Sequence, residues 1–168
     1  MDKQIQLDKR IQRPQNIKRS AEKPHVCHWT SRRMCLTQSA RVGRISENLT
    51  IWYLINRGWQ IWGRNYQTHK GEVDIIAVKE NADLKGYPTV AFIEVKSRSS
   101  RAALPPELNV TSAKRKKIVA VMHQWIGEHA RLKAVYRCDI ASVIVEPRRS
   151  PEISYFPNAF CGHEMFGW

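Results

Sequence analysis

From residue 43 onward, apolar positions recur with periods that predict two helices and five strands. The first helix is predicted over 43–57, where Ile45, Leu49 and Trp52 form one apolar stripe and Ile51 and Leu54 another, so it should be largely buried and end near Gly58. The strands are predicted at 59–67, 72–79, 89–98, 136–146 and 152–156, with the second helix at 111–129. The order α-β-β-β-α-β-β predicts a mixed α/β sheet flanked by helices, with its first three strands in an antiparallel meander.

Residues 1–40 lack any helical or strand period, and we interpret them as a basic, disordered arm preceding a single domain over 41–168. The arm carries nine Lys and Arg against three Asp and Glu. Four potential zinc ligands lie in it, His25, Cys27, His28 and Cys35. Their spacing does not match that of a zinc knuckle, so no metal is predicted there.

The charge of the chain indicates a polyanionic partner. A formal net charge of +13 and a pI near 10.0 favour nucleic acid over an anionic membrane. No window approaches the ~18 unbroken apolar residues of a membrane span, and the four scattered cysteines are typical of reduced thiols. We therefore expect a cytoplasmic protein without a membrane partner.

Charged residues interrupt two segments that otherwise read as buried strands. Alternation puts Glu94 and Lys96 on one face of their strand, and pairing with the preceding strand can bring Asp74 opposite Glu94. Two carboxylates that close repel unless a cation lies between them, and Mg²⁺ takes one or two carboxylates together with water and phosphate oxygens. The pattern predicts phosphodiester hydrolysis; the alternative is a surface ion pair on a solvated face.

Several segments, in order and spacing, resemble the bacterial YraN-like family of the PD-(D/E)XK nuclease superfamily: GRISEN, GRNYQTHKGEVDIIA, FIEVKSRSS, SAKRKKI, YRCDI and NAF. The resemblance covers about residues 41–160 and departs from the family pattern at Ser46 and Cys138. It implies a restriction-endonuclease-like fold with Asp74, Glu94 and Lys96 as catalytic residues. It also implies that Glu47 joins Asp74 and Glu94 in binding Mg²⁺ or Mn²⁺.

The resemblance favours a nuclease that acts on DNA rather than RNA, including branched or irregular structures, and it leaves a homodimer open. Six cations are predicted to bind the nucleic acid: Arg98, Arg101, Lys114, Arg115, Lys116 and Lys117. Four of them crowd the first turn of a helix, where the helix dipole disfavours positive charge. Two alternatives stay open, a solvated basic face and a nucleic-acid-binding module without catalysis. Asp139 is interpreted as a buried partner of Arg137 or Arg64.

Overall fold

The computed structural model describes residues 37–80, 86–98, 110–129 and 132–160. The elements are α1 Gln38–Ile55, β1 Gln60–Thr68, β2 Gly71–Lys79, β3 Thr89–Arg98, α2 Ser112–Glu128, β4 Val135–Ile144 and β5 Glu152–Phe160. This order confirms the predicted α-β-β-β-α-β-β sequence. The arm up to residue 36, with its His and Cys residues, lies outside the described residues.

The five strands form one mixed sheet in the order β1-β2-β3-β4-β5. The first three strands pair antiparallel, which confirms the predicted meander. Because α2 connects β3 to β4, these two central strands run parallel, and β5 then returns antiparallel to β4. No helix within the described ranges is long and apolar enough to cross a membrane.

Alternation along the strands gives the sheet two apolar faces. One face carries a buried cluster that joins Leu54 of α1 to Ile75 of β2 and Ile93 of β3. On the other face, Trp125 of α2 packs edge-on against Phe92, with ring centroids 5.6 Å apart. Since Ile93 and Phe92 are consecutive, α1 and α2 cover opposite faces. Every second residue of β3 therefore faces α2, including Glu94 and Lys96.

Both helices begin at a threonine that caps the first turn. The Thr37 hydroxyl accepts the amide of Ala40 at 3.3 Å, so α1 begins five residues before its predicted start. The Thr111 hydroxyl accepts the amide of Lys114 at 3.2 Å. This cap fixes the backbone of the first turn of α2, where the basic run begins.

The orientation of α1 corrects one prediction. Ile45 is 46% exposed and Trp52 is 65% exposed, so the stripe expected in the core lies at the surface. The buried side instead carries Ser46, Thr50 and Leu54. The small side chains at 46 and 50 allow a close approach to the sheet, and the Thr50 hydroxyl is satisfied by donating to the Ser46 carbonyl at 2.9 Å. By contrast, Trp59, Trp62 and Trp125 are buried.

Candidate functional site

The site is built around a buried carboxylate on β3. Glu94 is 3% exposed, and its Oε1 accepts a hydrogen bond from Lys96 Nζ at 2.9 Å. The structure thus confirms that these side chains are neighbours on one face. A carboxylate with so little exposure is costly to bury unless it is paired or binds a cation. This burial is incompatible with a surface ion pair on a solvated face.

Asp74 lies beside Glu94, at the point where the ladder between β2 and β3 ends. The last registered pair is Ile75 with Ile93, so one further step along the same register places Asp74 opposite Glu94. Asp74 Oδ2 accepts the amide of Val95 at 2.7 Å, which fixes the carboxylate against β3. Burial, followed by the charge of Glu94, raises the pKa of Asp74 to about 6. The two acids therefore repel one another, as the sequence predicted.

Lys114, in the first turn of α2, supplies a second ammonium that the sequence did not assign to this site. Its Nζ lies 3.2 Å from Glu94 Oε2 and 3.7 Å from Glu72 Oε1. Glu94 Oε2 is buried, so its ion pair with Lys114 is weakly screened by water. Burial acts to lower the pKa of Lys114, but the charge of Glu94 and its hydrogen bond, together with the charges of Asp74 and Glu72, outweigh burial and raise the pKa.

The other cations of the basic run are placed differently from Lys114. Arg115 Nε donates to the carbonyl of Val110 at 2.9 Å, and its guanidinium lies 5.7 Å from the centre of the Phe160 ring. Lys116 and Lys117 are exposed. Since successive helical residues are about 100° apart, four consecutive cations cannot share one surface. Arg98 is half-buried at the end of β3, and Arg101 lies outside the described residues.

Glu47, on α1, approaches the site from the opposite face of the sheet. Its Oε2 accepts Asn65 Nδ2 of β1 at 3.3 Å, and its charge makes the smallest of the contributions that raise the pKa of Asp74. Within the described ranges, no three His, Cys, Asp or Glu side chains come close enough to hold one metal ion. The structure therefore brings Asp74 and Glu94 together but does not complete a three-carboxylate cluster with Glu47.

A cleft of about 410 Å³ opens beside Lys114, between the β1–β2 turn and α2. It is lined by Gln67, Thr68, Gly71, Glu72, Lys114 and Lys117. Gly71 has φ 151°, and a Cβ there would lie 3.1 Å from the Cβ of Lys117. The glycine therefore permits the close approach of α2 to the turn that forms one wall of the cleft.

Replacing Gly71 by Ala should lower the free energy of unfolding by about 1–3 kcal/mol, because the new methyl group is strained at this φ and crowds Lys117. Urea denaturation of the purified variant measures the loss. Gly43→Ala is the matched control, since this helical glycine has nothing within 4 Å of an added Cβ. It should stabilise the protein by about 0.5–1 kcal/mol. Equal stability of the two variants would contradict the packing described for Gly71.

Comparison with known sequences places this fold and site in a family. The model of the Uncharacterised protein family UPF0102 matches residues 46–143, which include Glu47, Asp74, Glu94 and Lys96. A UPF0102 protein of Trichlorobacter lovleyi is 35% identical over 119 residues, covering 71% of this chain and 89% of the relative. A UPF0102 protein of Geobacter metallireducens is 34% identical over 119 residues, covering 71% of this chain and 91% of the relative. On both counts, the chain belongs to the Uncharacterised protein family UPF0102.

Proposed function

We propose that this protein is a metal-dependent nuclease that hydrolyses phosphodiester bonds in DNA, including branched or irregular structures. The observation that carries the proposal is the buried carboxylate of Glu94, beside Asp74 and bonded to Lys96. The acids come from adjacent strands, and the amine lies two residues beyond Glu94. This arrangement supports the resemblance to PD-(D/E)XK nucleases, which the family membership does not itself establish.

The donor set fits a small divalent cation. Carboxylate oxygens are the ligands that Mg²⁺ and Mn²⁺ prefer, and Glu94 has a buried oxygen whose described partner is the ammonium of Lys114 at 3.2 Å. Asp74 and Glu94 would hold the ion, with water and phosphate oxygens completing its shell. When bound, such an ion supplies positive charge that offsets the phosphate charge and lowers the pKa of water. Glu47 would lie outside the direct ligands of the ion, with its carboxylate held by the hydrogen bond from Asn65.

The remaining chemistry belongs to the side chains of the protein. Lys96 is anchored to Glu94 Oε1 but is still 33% exposed, so its ammonium can reach a bound phosphate. There it would stabilise the negative charge that builds on the phosphate oxygens during displacement, or orient the attacking water. The hydrogen bond from Val95 to Asp74 keeps that carboxylate oriented while substrate binds.

Exposed cations next to the site would bind the backbone of the nucleic acid. Lys117 lines the cleft beside Glu72, and Lys116 is exposed on the same helix. Phosphate contacts of this kind position a nucleic acid without reading its sequence. The net charge of +13 adds a long-range attraction that salt should weaken.

A nucleic-acid-binding module without catalysis is the second candidate, favoured by the two ammonium groups on Glu94. Lys96 and Lys114 together pair both of its oxygens, so the carboxylate is neutralised without a metal ion. Such a module would bind DNA in a salt-dependent manner with no metal requirement. Metal dependence therefore separates the two candidates.

Purified protein incubated with labelled linear, flapped and four-way DNA should cleave at least one substrate in Mg²⁺ or Mn²⁺. Adding EDTA should abolish the cleavage, because the paired carboxylates would lose their cation. A matched RNA set tests the preference for DNA. Salt-sensitive binding without cleavage in either metal would favour the binding module, and cleavage unaffected by EDTA would contradict the proposed site.

A further inference from the structure

We propose that Lys114 is an internal cation that competes with the metal ion for Glu94 and is drawn away by the phosphates of the substrate. The inference rests on the proposed function and deepens it, since it makes metal binding and nucleic-acid binding cooperative. Its basis is the position of the Lys114 ammonium, 3.2 Å from the buried Oε2 of Glu94.

The two lysines on Glu94 are held differently. Lys96 lies on the same strand, two residues away, and donates a hydrogen bond to Oε1 at 2.9 Å. Lys114 reaches Oε2 from a separate element, α2, at the longer distance of 3.2 Å. The Thr111 cap fixes the backbone of Lys114, whereas its ammonium is shared between Glu94 and the exposed carboxylate of Glu72. Of the two ammonium groups, the one on Lys114 is therefore the easier to displace.

A divalent ion bound to Oε2 would exclude this ammonium. Two positive charges in contact with the same oxygen repel strongly at a site as buried as Glu94, which is 3% exposed. Metal binding must therefore include the free energy of moving Lys114. The residue should weaken metal affinity when no nucleic acid is present.

The displaced ammonium of Lys114 can move into the adjacent cleft. Lys114 lines the cleft that also holds Glu72 and Lys117, and it already lies 3.7 Å from the exposed carboxylate of Glu72. A phosphate of a nucleic acid in this cleft would attract Lys114 away from Glu94 and clear Oε2 for the metal. By linkage, bound nucleic acid should raise metal affinity, and bound metal should raise nucleic-acid affinity by the same factor.

Calorimetric titration with Mn²⁺ tests the competition. Lys114→Met keeps a long side chain without its charge and should bind Mn²⁺ about tenfold more tightly than wild type. Adding a short, uncleavable phosphorothioate DNA duplex should raise the Mn²⁺ affinity of wild type and leave that of Lys114→Met nearly unchanged. Lys117→Met is the matched control, because Lys117 lines the same cleft one turn further along α2, and its metal affinity should equal that of wild type.

Thermal unfolding gives a second readout. In EDTA, Lys114→Met should melt below wild type, because Glu94 Oε2 loses its ion pair, and saturating Mn²⁺ should remove the difference. Lys114→Gln repeats both measurements should the Met variant fold poorly. Mn²⁺ affinity that is unchanged or weaker in both variants would overturn the inference, as would an absence of Mn²⁺ binding in wild type and both variants alike, with or without the duplex.

The outcomes for the inference and for the proposed function are separable. Tighter Mn²⁺ binding by Lys114→Met in a protein that cleaves no DNA would support the competing lysine and count against the nuclease. Metal-dependent cleavage by wild type, combined with equal Mn²⁺ affinity in both proteins, would support the nuclease and overturn the role of Lys114.

Discussion

Replacing Asp74 by Asn should reduce metal-dependent DNA cleavage by about 10³-fold. The change removes one of the two charges that would hold the cation but keeps the size of the side chain. An amide oxygen can still accept the Val95 amide, whose present hydrogen bond is 2.7 Å long. Because Asp74 repels Glu94, its neutralisation should leave the free energy of unfolding unchanged or higher. Loss of cleavage would thus report on chemistry and not on folding.

Asp74 is a sharper test than Glu94. In Glu94→Gln, the new amide group would lie beside one of two ammonium groups, that of Lys96 or that of Lys114, because each contacts one carboxylate oxygen. Two hydrogen-bond donors that face each other would destabilise the site, whether or not Glu94 has a catalytic role. No such conflict arises at Asp74, where the donor described is a backbone amide.

Initial cleavage rates and DNA-binding anisotropy should be measured on the same Asp74→Asn preparation, with binding within about threefold of wild type. Glu72→Gln is the matched control. It removes the same charge two residues earlier on the same face of β2, from a side chain that is 56% exposed. Its cleavage rate should fall by less than about tenfold. Equal rates in Asp74→Asn and wild type would rule out the proposed metal site.

The sheet could be predicted because burial of its strands follows directly from their composition. Residues 75–78 of β2 are all buried, as are the first six residues of β3, and both segments are rich in Val, Ile and Ala. A turn signal at Gly71 marks the start of β2 and one at Gly86 separates β2 from β3, and both glycines have positive φ. The same local information placed Asp74 and Glu94 together, since antiparallel neighbours need only a short connection.

Hydrophobicity predicted only part of the buried side of α1, the stripe of Ile51 and Leu54, which does pack into the core. Trp52 lies on the longest apolar stripe but is 65% exposed, whereas Ser46 and Thr50 are fully buried. Which side packs was decided by the space available over the sheet, and small polar residues fit there because the Thr50 hydroxyl is satisfied within the helix. A hydropathy pattern contains no information about that space.

The position of Lys114 was missed for a related reason. In the sequence, the four cations from Lys114 to Lys117 are equivalent. They differ only in the side of the helix on which each one lies. One signal was present: Lys114 precedes Ile118 by four residues and Trp125 by eleven, so it continues the stripe that is buried. A lysine on a buried stripe is a candidate for pairing with a buried acid, here Glu94.

Replacing Asp139 by Ala should lower the free energy of unfolding by about 3–5 kcal/mol. Asp139 is fully buried on β4 and accepts Arg137 Nε at 3.0 Å, the Tyr155 hydroxyl, and the backbone amide of Asn158 at 2.8 Å. The sequence interpretation of a buried partner for Arg137 is confirmed. These contacts join β4 to β5 beside the irregular pairing between Cys138 and Ile140, where Asn158 has a positive φ of 52°.

Asp139 stabilises the fold because its carboxylate oxygens accept hydrogen bonds, and not because it is charged. Burial raises the pKa of Asp139 against the opposing effects of Arg137, Tyr155 and Asn158, so ionising it in the folded protein is unfavourable relative to the unfolded chain. Alanine would leave three donors without their acceptor. Asp139→Asn, which keeps one acceptor oxygen, should therefore lose less stability than Asp139→Ala.

Urea denaturation of Asp139→Ala and Asp139→Asn tests whether the alanine variant loses more stability than the asparagine variant. Glu146→Ala is the control. Glu146 forms an ion pair with Arg149 at 3.3 Å in the turn between β4 and β5, where the Arg149 side chain is 65% exposed. Screening by water should limit that loss to about 1 kcal/mol or less. If Asp139→Ala loses no more stability than Glu146→Ala, water or neighbouring groups must accept the hydrogen bonds that the Asp139 oxygens accept in the wild-type protein. The network would then contribute specificity of strand pairing rather than stability.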